Sequence, residues 1–354
     1  MNSEIINEKI STTVNSQSKI SVEERVRFLK NLKSEIKLNE EDIYKALDLD
    51  LKKPRFETFA TEIGFLLNEI ELFIKKLRSW SKPKGIRSAL INFPSKDYII
   101  FEPYGKVLVI SPWNYPFQLA LLPAMSAFAA GNSVVLKPSE HTPNTSKLIK
   151  KIVEKVFPTE LMSVIEGDSK TASKLLEKKW DYIFFTGSVK IGEIVAMAAA
   201  KNLTPYTLEL GGKSPAIINK DIDLKLASKR IVWGKFLNSG QTCVAPDYLV
   251  AHKSIKGALI KELIKRIEKT LGKQLEKTED FTAIVNEKNF NRLVGLINKN
   301  NLIYGGKYDK VKRYISPTII DSPKMDEEIM KDEIFGPILP VLSFEKIEDI
   351  DEII

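Results

Sequence analysis

The chain carries one cysteine and two histidines among 354 residues. A single thiol, Cys243, excludes an internal disulfide and is consistent with a reducing compartment, so a cytoplasmic location is expected. His141 and His252 are too few for a histidine metal site. Neither a C-x-x-C nor an H-E-x-x-H run occurs, so no metal is expected. Long apolar runs are scarce too. The most apolar stretch, Leu119–Ala130, is interrupted by Pro123 and Ser126 and is too short to span a bilayer. The N-terminus, MNSEIINEKISTTVN, has acidic and polar residues where a secretory signal needs an apolar core. Although the formal charge is +8, no concentrated basic run exists. Lysines interleave with glutamates, as in KELIKRIEK (Lys261–Lys269), the pattern of solvated helix faces rather than of a nucleic-acid surface.

What remains is an ordinary globular composition, with a length that fits about two domains. The first eighty residues read as helices. Ser21 and Glu24 form a capping-box pattern ahead of Val22, Val26, Leu29, Leu32 and Ile36 on one face. A second segment sets Ile63, Leu66, Leu67, Ile70, Phe73, Ile74 and Leu77 at helical spacing. Ser81–Pro103 then breaks the period, and its turn residues between apolar runs predict a projecting β-hairpin.

From Val107 the pattern alternates. Apolar runs at Val107–Ile110, Val134–Leu136, Ser163–Ile165 and Tyr182–Phe185 are separated by helical segments around Leu119–Ala130, Thr145–Val156 and Ile191–Ala200. Strand–helix alternation predicts a doubly wound parallel sheet, whose ligands bind beyond the carboxyl ends of the strands. Polar clusters fall there: SPWNYP (Ser111–Pro116), KPSE (Lys137–Glu140) and TGSVKIG (Thr186–Gly192), with Ser188 placed to cap the next helix. A glycine turn opening a helix offers N–H groups to a phosphate, and Lys137 and Glu140 are suited to ribose hydroxyls. Each cluster alone reads better as a capped loop or an exposed charge; their shared rim shifts the balance toward a nucleotide.

The single thiol lies in NSGQTCVAP (Asn238–Pro246). A lone cysteine is commonly a small buried hydrophobe. Gly240, Gln241 and Thr242 are poor core formers, and a nucleophilic thiolate needs the backbone donors that such a turn supplies. Spacing alone leaves both readings open.

Taken in order, PWNYP, KPSE, FTGS, LELGGKSP (Leu208–Pro215), the cysteine segment and EIFGPILPV (Glu333–Val341) resemble the aldehyde dehydrogenase superfamily, most closely its class 3 branch. The resemblance covers the chain from the N-terminal helices to its end. It implies two doubly wound α/β domains with parallel-sheet cores plus the hairpin: a Rossmann-like NAD(P)-binding domain over 1–82 and 104–208, an oligomerisation hairpin over 83–103, and a catalytic domain over 209–354. Cys243 then matches the nucleophile, Glu209 the general base and Asn114 the oxyanion donor. Lys137 and Glu140 match the adenosine-ribose ligands, and Gly187 and Ser188 the pyrophosphate turn. Glu333 matches the nicotinamide-ribose ligand, Phe335 the aromatic near the nicotinamide, and Trp113 a further cofactor-side residue. The cofactor implied is NAD, with NADP as the alternative; the substrate is an aldehyde, and no nucleic acid or membrane partner is implied. Phe335 as plain core and Lys213 as an exposed charge remain open.

Members of the family continue beyond a segment like VLSFEKIEDIDEII. The resemblance therefore implies a catalytic domain incomplete at its C-terminus, without the strand that pairs with the hairpin and across a homodimer. Ile347, Ile350, Ile353 and Ile354 read as a helix without a closing cap. A chain so shortened is expected to be weakly active and to self-associate through the hairpin's uncovered apolar edge. Two other readings stand beside the dehydrogenase: an inactive remnant that binds nucleotide, and a thiol esterase using Cys243 and Glu209, which leaves Glu333 and Phe335 without a role.

Overall fold

The computed structural model describes residues 20–274, 280–297 and 301–354. The N-terminal stretch on which the absence of a secretory signal rests lies outside them. The chain divides into two units, one holding the chain up to Ala46 and Thr58–Glu209, the other Leu47–Glu57 and Leu210–Ile354.

The first unit begins with α1 (Val22–Leu38), opened by the expected capping box: Glu24 N–H donates to Ser21 Oγ (3.2 Å) and Ser21 N–H to the Glu24 carboxylate (2.9 Å). Its buried face is Val26, Leu29, Leu32 and Ile36. A further helix, α2 (Glu40–Leu51), runs across the unit boundary with Ile43, Leu47 and Leu51 buried at four-residue spacing. A π-turn at Phe59–Ile63 leads into α3 (Gly64–Trp80), which buries Leu66, Ile70 and Leu77. The hairpin is present but short. β1 (Lys84–Ile86) pairs antiparallel with β2 (Asp97–Ile99), and among the described residues these strands pair only with each other. Ile91, Phe93 and Phe101, flanking them, are 92%, 82% and 73% exposed, an open apolar surface.

The unit's sheet is built from β3 (Lys106–Ile110), β4 (Ser133–Lys137), β5 (Met162–Val164), β6 (Tyr182–Gly187) and β7 (Tyr206–Leu210), in the order β5-β4-β3-β6-β7. β3 pairs in parallel with β4 and with β6, and β4 with β5. The chain starts at the centre, winds to one edge and returns to the other, so the order reverses between β3 and β6. Helices α4 (Gln118–Ala129), α5 (Pro143–Val156), α6 (Ser169–Leu176) and α7 (Val189–Ala200) make the crossovers. The most apolar stretch of the sequence is α4, a core helix with Ala120, Leu121, Ala124, Met125 and Phe128 buried. No described helix is long and apolar enough to cross a membrane.

The second unit is a five-stranded sheet of β8 (Pro215–Ile218), β9 (Tyr248–His252), β10 (Leu302–Tyr304), β13 (Thr318–Asp321) and β14 (Ile338–Phe344); β11 (Tyr308–Asp309) and β12 (Tyr314–Ile315) form a separate pair. The order is β10-β13-β14-β9-β8, parallel throughout except for β10. Strand alternation splits the side chains into two cores. Leu249, Ala251, Ile319, Leu339 and Val341 face α8 (Leu224–Phe236) and α9 (Lys253–Leu271). Tyr248, Val250, Ile320, Leu342 and Phe344 face α10 (Glu287–Gly295) and α11 (Glu328–Lys331). A sheet covered on both faces explains why its strands read as apolar runs.

The isoleucine-rich end differs from expectation. It is a 3₁₀ turn, Ile347–Glu352, in which Ile350 is buried and Ile347 is 61% exposed. The Asp349 carboxylate accepts the N–H groups of Glu345 (3.0 Å) and Lys346 (2.9 Å), so this element opens on a side-chain cap and tightens around it.

Candidate active site

In the first unit every predicted residue lies at the carboxyl ends of the strands. Trp113 and Asn114 follow β3, and Asn114 is buried. The next helix, α4, is fixed by Glu62, fully buried, whose carboxylate accepts Phe117 N–H (3.0 Å) and Gln118 N–H (2.9 Å). A carboxylate on the first amides of a helix satisfies orphan donors and the positive end of its dipole at once. Nothing in the local sequence marks Glu62 for this task.

Lys137, buried at the end of β4, reaches Glu140 at 2.5 Å. Burial works against the charge on Glu140, but the hydrogen bond and charge of Lys137 outweigh it and hold the carboxyl below the usual range. Gly187 ends β6, with the Phe185 ring where a side chain would stand: an added Cβ would meet Phe185 Cζ at 2.5 Å. Ser188 occupies the N-cap position of α7, but its side chain makes no capping hydrogen bond, contrary to the sequence prediction; only its carbonyl engages, accepting from Ile191 and Gly192. Its extended backbone meets the requirement of a cap while the hydroxyl does not. Glu209 stands exposed near the end of β7.

The second unit holds the thiol. After α8 the chain passes through Asn238, Ser239 and Gly240 with φ of 54°, 55° and 71°, three left-handed residues in a row. Two of them carry side chains, a conformation that costs roughly 1–2 kcal/mol each and persists only where surroundings enforce it. The surroundings are specific. Asn238 N–H donates to Glu57 Oε2 (3.0 Å), and Thr282 Oγ1 donates to the same oxygen (3.0 Å). Ser239 Oγ donates to the Thr282 carbonyl. Gln241 Nε2 donates to the carbonyls of Asn238 and Ala283 (3.1 Å each), and its Oε1 accepts Val285 N–H (3.0 Å). Burial pushes the Glu57 carboxyl up, against the pull of Lys53, Thr282 and the Asn238 amide. The chain then turns, Ala245 N–H to Thr242 carbonyl (3.0 Å), with half-buried Cys243 inside the turn.

The EIFGP segment packs against this loop. A Cβ on Gly240 would lie 2.4 Å from the Gly336 carbonyl oxygen, and Phe335 is itself left-handed (φ 49°) and half-buried. Glu333 sits over the LELGGKSP turn: a Cβ on Gly211 would fall 2.1 Å from Glu333 Oε2, and Gly212 N–H donates to that carboxylate. Burial first, then the charge of Asp247, push Glu333 up to about 7, against Gly212, Lys235 and Arg292. Lys213 is not a free surface charge. Its ammonium donates to Asp247 (2.6 Å) and to the carbonyls of Ile329 (2.8 Å) and Asp332 (2.9 Å), while Asp247 also accepts Ile334 N–H (2.9 Å). Lys235, fully buried 3.9 Å from Asp247, is lowered to about 8 by burial. Asp247 thus ties the glycine turn to the EIFGP segment. Nothing in the local sequence marks Asp247 or Glu57 for these tasks. Among the described residues no group of histidine, cysteine or carboxylate side chains is set to hold a metal.

Two parallel-sheet units with these loops define the aldehyde dehydrogenase architecture. The structure described as the substrate-bound state of Staphylococcus aureus AldH superposes with a TM-score of 0.96 at 44% identity, covering 99% of this chain and 77% of that one. The chain belongs to the aldehyde dehydrogenase family, whose model matches residues 6–354. It is 45% identical over 337 residues to the 4,4'-diaponeurosporen-aldehyde dehydrogenase of S. aureus, covering 95% of this chain and 73% of that protein. It is 42% identical over 351 residues to aldehyde dehydrogenase family 3 comG of Dictyostelium discoideum, covering 99% and 75%. The chain is therefore an aldehyde dehydrogenase of class 3 kinship, in a family that uses NAD or NADP.

Proposed function

We propose that the protein oxidises an aldehyde to a carboxylic acid through a covalent intermediate on Cys243. The observation that carries this reading is the thiol loop: left-handed backbone at three successive residues is held by hydrogen bonds to four residues outside it, Glu57, Thr282, Ala283 and Val285, and by a close glycine contact. Strain of that kind concentrates where geometry is used.

Bound NAD(P) accepts the hydride. Its fit is supported by the reversal point between β3 and β6, by the Lys137–Glu140 pair at the rim, and by the amides opening α7, which the Ser188 hydroxyl leaves to another acceptor. In the second unit, the position of Glu333 over side-chain-free Gly211 supports a role in accepting hydroxyl groups of a ribose. Cys243 attacks the aldehyde carbon as thiolate, giving a tetrahedral thiohemiacetal. The Asn114 side-chain amide and the Cys243 backbone N–H stabilise its oxyanion, contacts worth about 3–4 kcal/mol each in such sites. Loss of hydride leaves a thioester on Cys243. Glu209 takes a proton from water, which hydrolyses the thioester and frees the acid and the thiol. The substrate class is a medium- or long-chain aliphatic or aromatic aldehyde; the staphylococcal relative is named for 4,4'-diaponeurosporen-aldehyde. A homodimer covering the hairpin's Ile91, Phe93 and Phe101 completes the reading; their exposure supports it.

The test is NADH absorbance with hexanal and benzaldehyde, run beside thermal shift with NAD. Wild type turns over; Cys243→Ala does not, yet keeps its NAD-induced shift, because the thiol acts on substrate and not on cofactor. Activity in Cys243→Ala within a few-fold of wild type refutes the nucleophile assignment. Ester hydrolysis without NAD in place of aldehyde oxidation refutes the reaction.

A further inference from the structure

A cavity of about 300 Å³ opens in the second unit, walled by α8, α9, Phe281 and the Pro54–Glu57 segment. No residue assigned above to substrate or cofactor chemistry lines it. Its wall is chiefly apolar and includes the aromatic rings of Phe56, Trp233, Phe236 and Phe281. Phe56 and Trp233 meet edge to face, 6.3 Å between centroids, and are 66% and 51% exposed. Large aromatics left open around a concavity are the usual furniture of a ligand site. Two cations join them, Lys229 from α8 and Arg266 from α9, and among the described residues neither forms an ion pair. An aromatic hollow with a guanidinium and an ammonium receives an apolar body ending in one carboxylate, which the planar Arg266 fork matches. Asp280 and Glu57 also line the cavity and oppose a second acidic group on the same ligand.

Glu57 gives the cavity a route to the chemistry. Glu57 lines the cavity, and its carboxylate holds Asn238 N–H and Thr282 Oγ1, so a ligand seated against this residue bears on the first residue of the strained loop leading to Cys243. A ligand that fits one arrangement of that loop better than another shifts its population by the difference.

We propose that this cavity is a regulatory site for an amphipathic monocarboxylate, and that its occupant lowers turnover through Glu57 and the thiol loop. The choice of a monocarboxylate as effector rests on the proposed reaction, whose product is of that class. The probe is octanoate. Calorimetric titration into the Cys243→Ala chain reads binding without turnover, with one saturable site expected. Adding Lys229→Ala and Arg266→Ala weakens binding about tenfold or more, the loss expected for charge-assisted contacts. In steady state, octanoate lowers kcat of the thiol-bearing enzyme at saturating aldehyde. The K229A/R266A enzyme keeps its basal kcat, which also reports that it folds, and escapes the inhibition. Equal octanoate affinity with and without the two cations overturns the site. Inhibition purely competitive with aldehyde overturns the coupling. Calorimetric binding that needs the two cations, in a chain that oxidises no aldehyde, supports the site and counts against the proposed reaction instead.

Discussion

Gly240→Ala tests how tightly the thiol loop is set. The residue has φ +71°, which costs an alanine roughly 1–2 kcal/mol of backbone strain. The new methyl meets backbone on two sides, the Gly336 carbonyl oxygen at 2.4 Å and the Lys235 carbonyl oxygen at 2.9 Å. Nonbonded heavy atoms rest at roughly 3.5 Å, so relief requires a displacement of about 1 Å in backbone, with no flexible side chain to absorb it. Gly336 lies in the segment carrying Glu333, and Cys243 is three residues downstream, so the displacement falls on the thiol or on the EIFGP turn. A 1 Å misplacement of reacting groups costs about a hundredfold in rate. The expected result is kcat lower by about that factor, with stability lower by about 2–4 kcal/mol once strain and clash are combined. Rapid-quench measurement of the NADH burst reads the chemical step, and urea unfolding reads the stability. A variant that folds with a burst rate within threefold of wild type refutes the claim that this backbone fixes the thiol.

Glu209→Gln is expected to keep hydride transfer and slow thioester hydrolysis, seen as an NADH burst followed by a phase at least tenfold slower than wild-type turnover; equal loss in both phases places Glu209 in the first half-reaction instead. For the cofactor, the ionised Glu140 beside Lys137 accepts a ribose 2′-hydroxyl and repels a 2′-phosphate, so kcat/KM is expected to favour NAD over NADP, with Glu140→Gln narrowing the ratio. Equal kcat/KM for the two cofactors in wild type shows that Glu140 does not face the ribose. For pH, Glu333 titrates near 7 in the folded chain, above its ordinary value near 4.5, among Asp247, Lys235 and Arg292. The folded state then holds more protons than the unfolded one across that window, so this group's contribution to stability is present below about 4.5 and is lost as pH rises through about 7. The urea midpoint of wild type relative to Glu333→Gln is expected to fall from pH 5 to 7 and level off above, while NAD affinity rises over the same span as the carboxylate ionises. A pH-independent difference refutes both.

What could be read from the sequence follows from how parallel sheets are made. β3 and β4 are buried on both faces, so they appear as unbroken apolar runs, and the loops after them must end a strand with free polar groups, so PWNYP and KPSE stand out as clusters. Within the first eighty residues, which read as helices, α2 does not stand out as a segment of its own because its buried Ile43, Leu47 and Leu51 sit among acids that look like a solvated connection. Ser188 misled because residue type predicts the backbone of an N-cap better than it predicts where the hydroxyl turns.

The thiol loop marks a deeper division. NSGQTC announces a turn rich in donors, but the φ values at Asn238 and Ser239 are not preferences of asparagine or serine; they are imposed. The groups that impose them, Glu57 and Thr282, are 181 and 43 or more residues away along the chain and look like nothing special where they stand. Glu57 follows an arginine and a phenylalanine in an ordinary amphipathic stretch, and only burial against Asn238 turns its carboxylate into a strut. Asp247 is the same case: two residues past Ala245 it reads as a turn residue, yet it joins Lys213 to Ile334 and so sets Glu333 over Gly211. Groups that do chemistry must be exposed to a ligand, and exposure forces a recognisable local pattern. Groups that hold them need only one well-placed contact, which any stretch of chain can supply, so the sequence marks candidates for the site's chemistry and leaves its scaffolding unmarked.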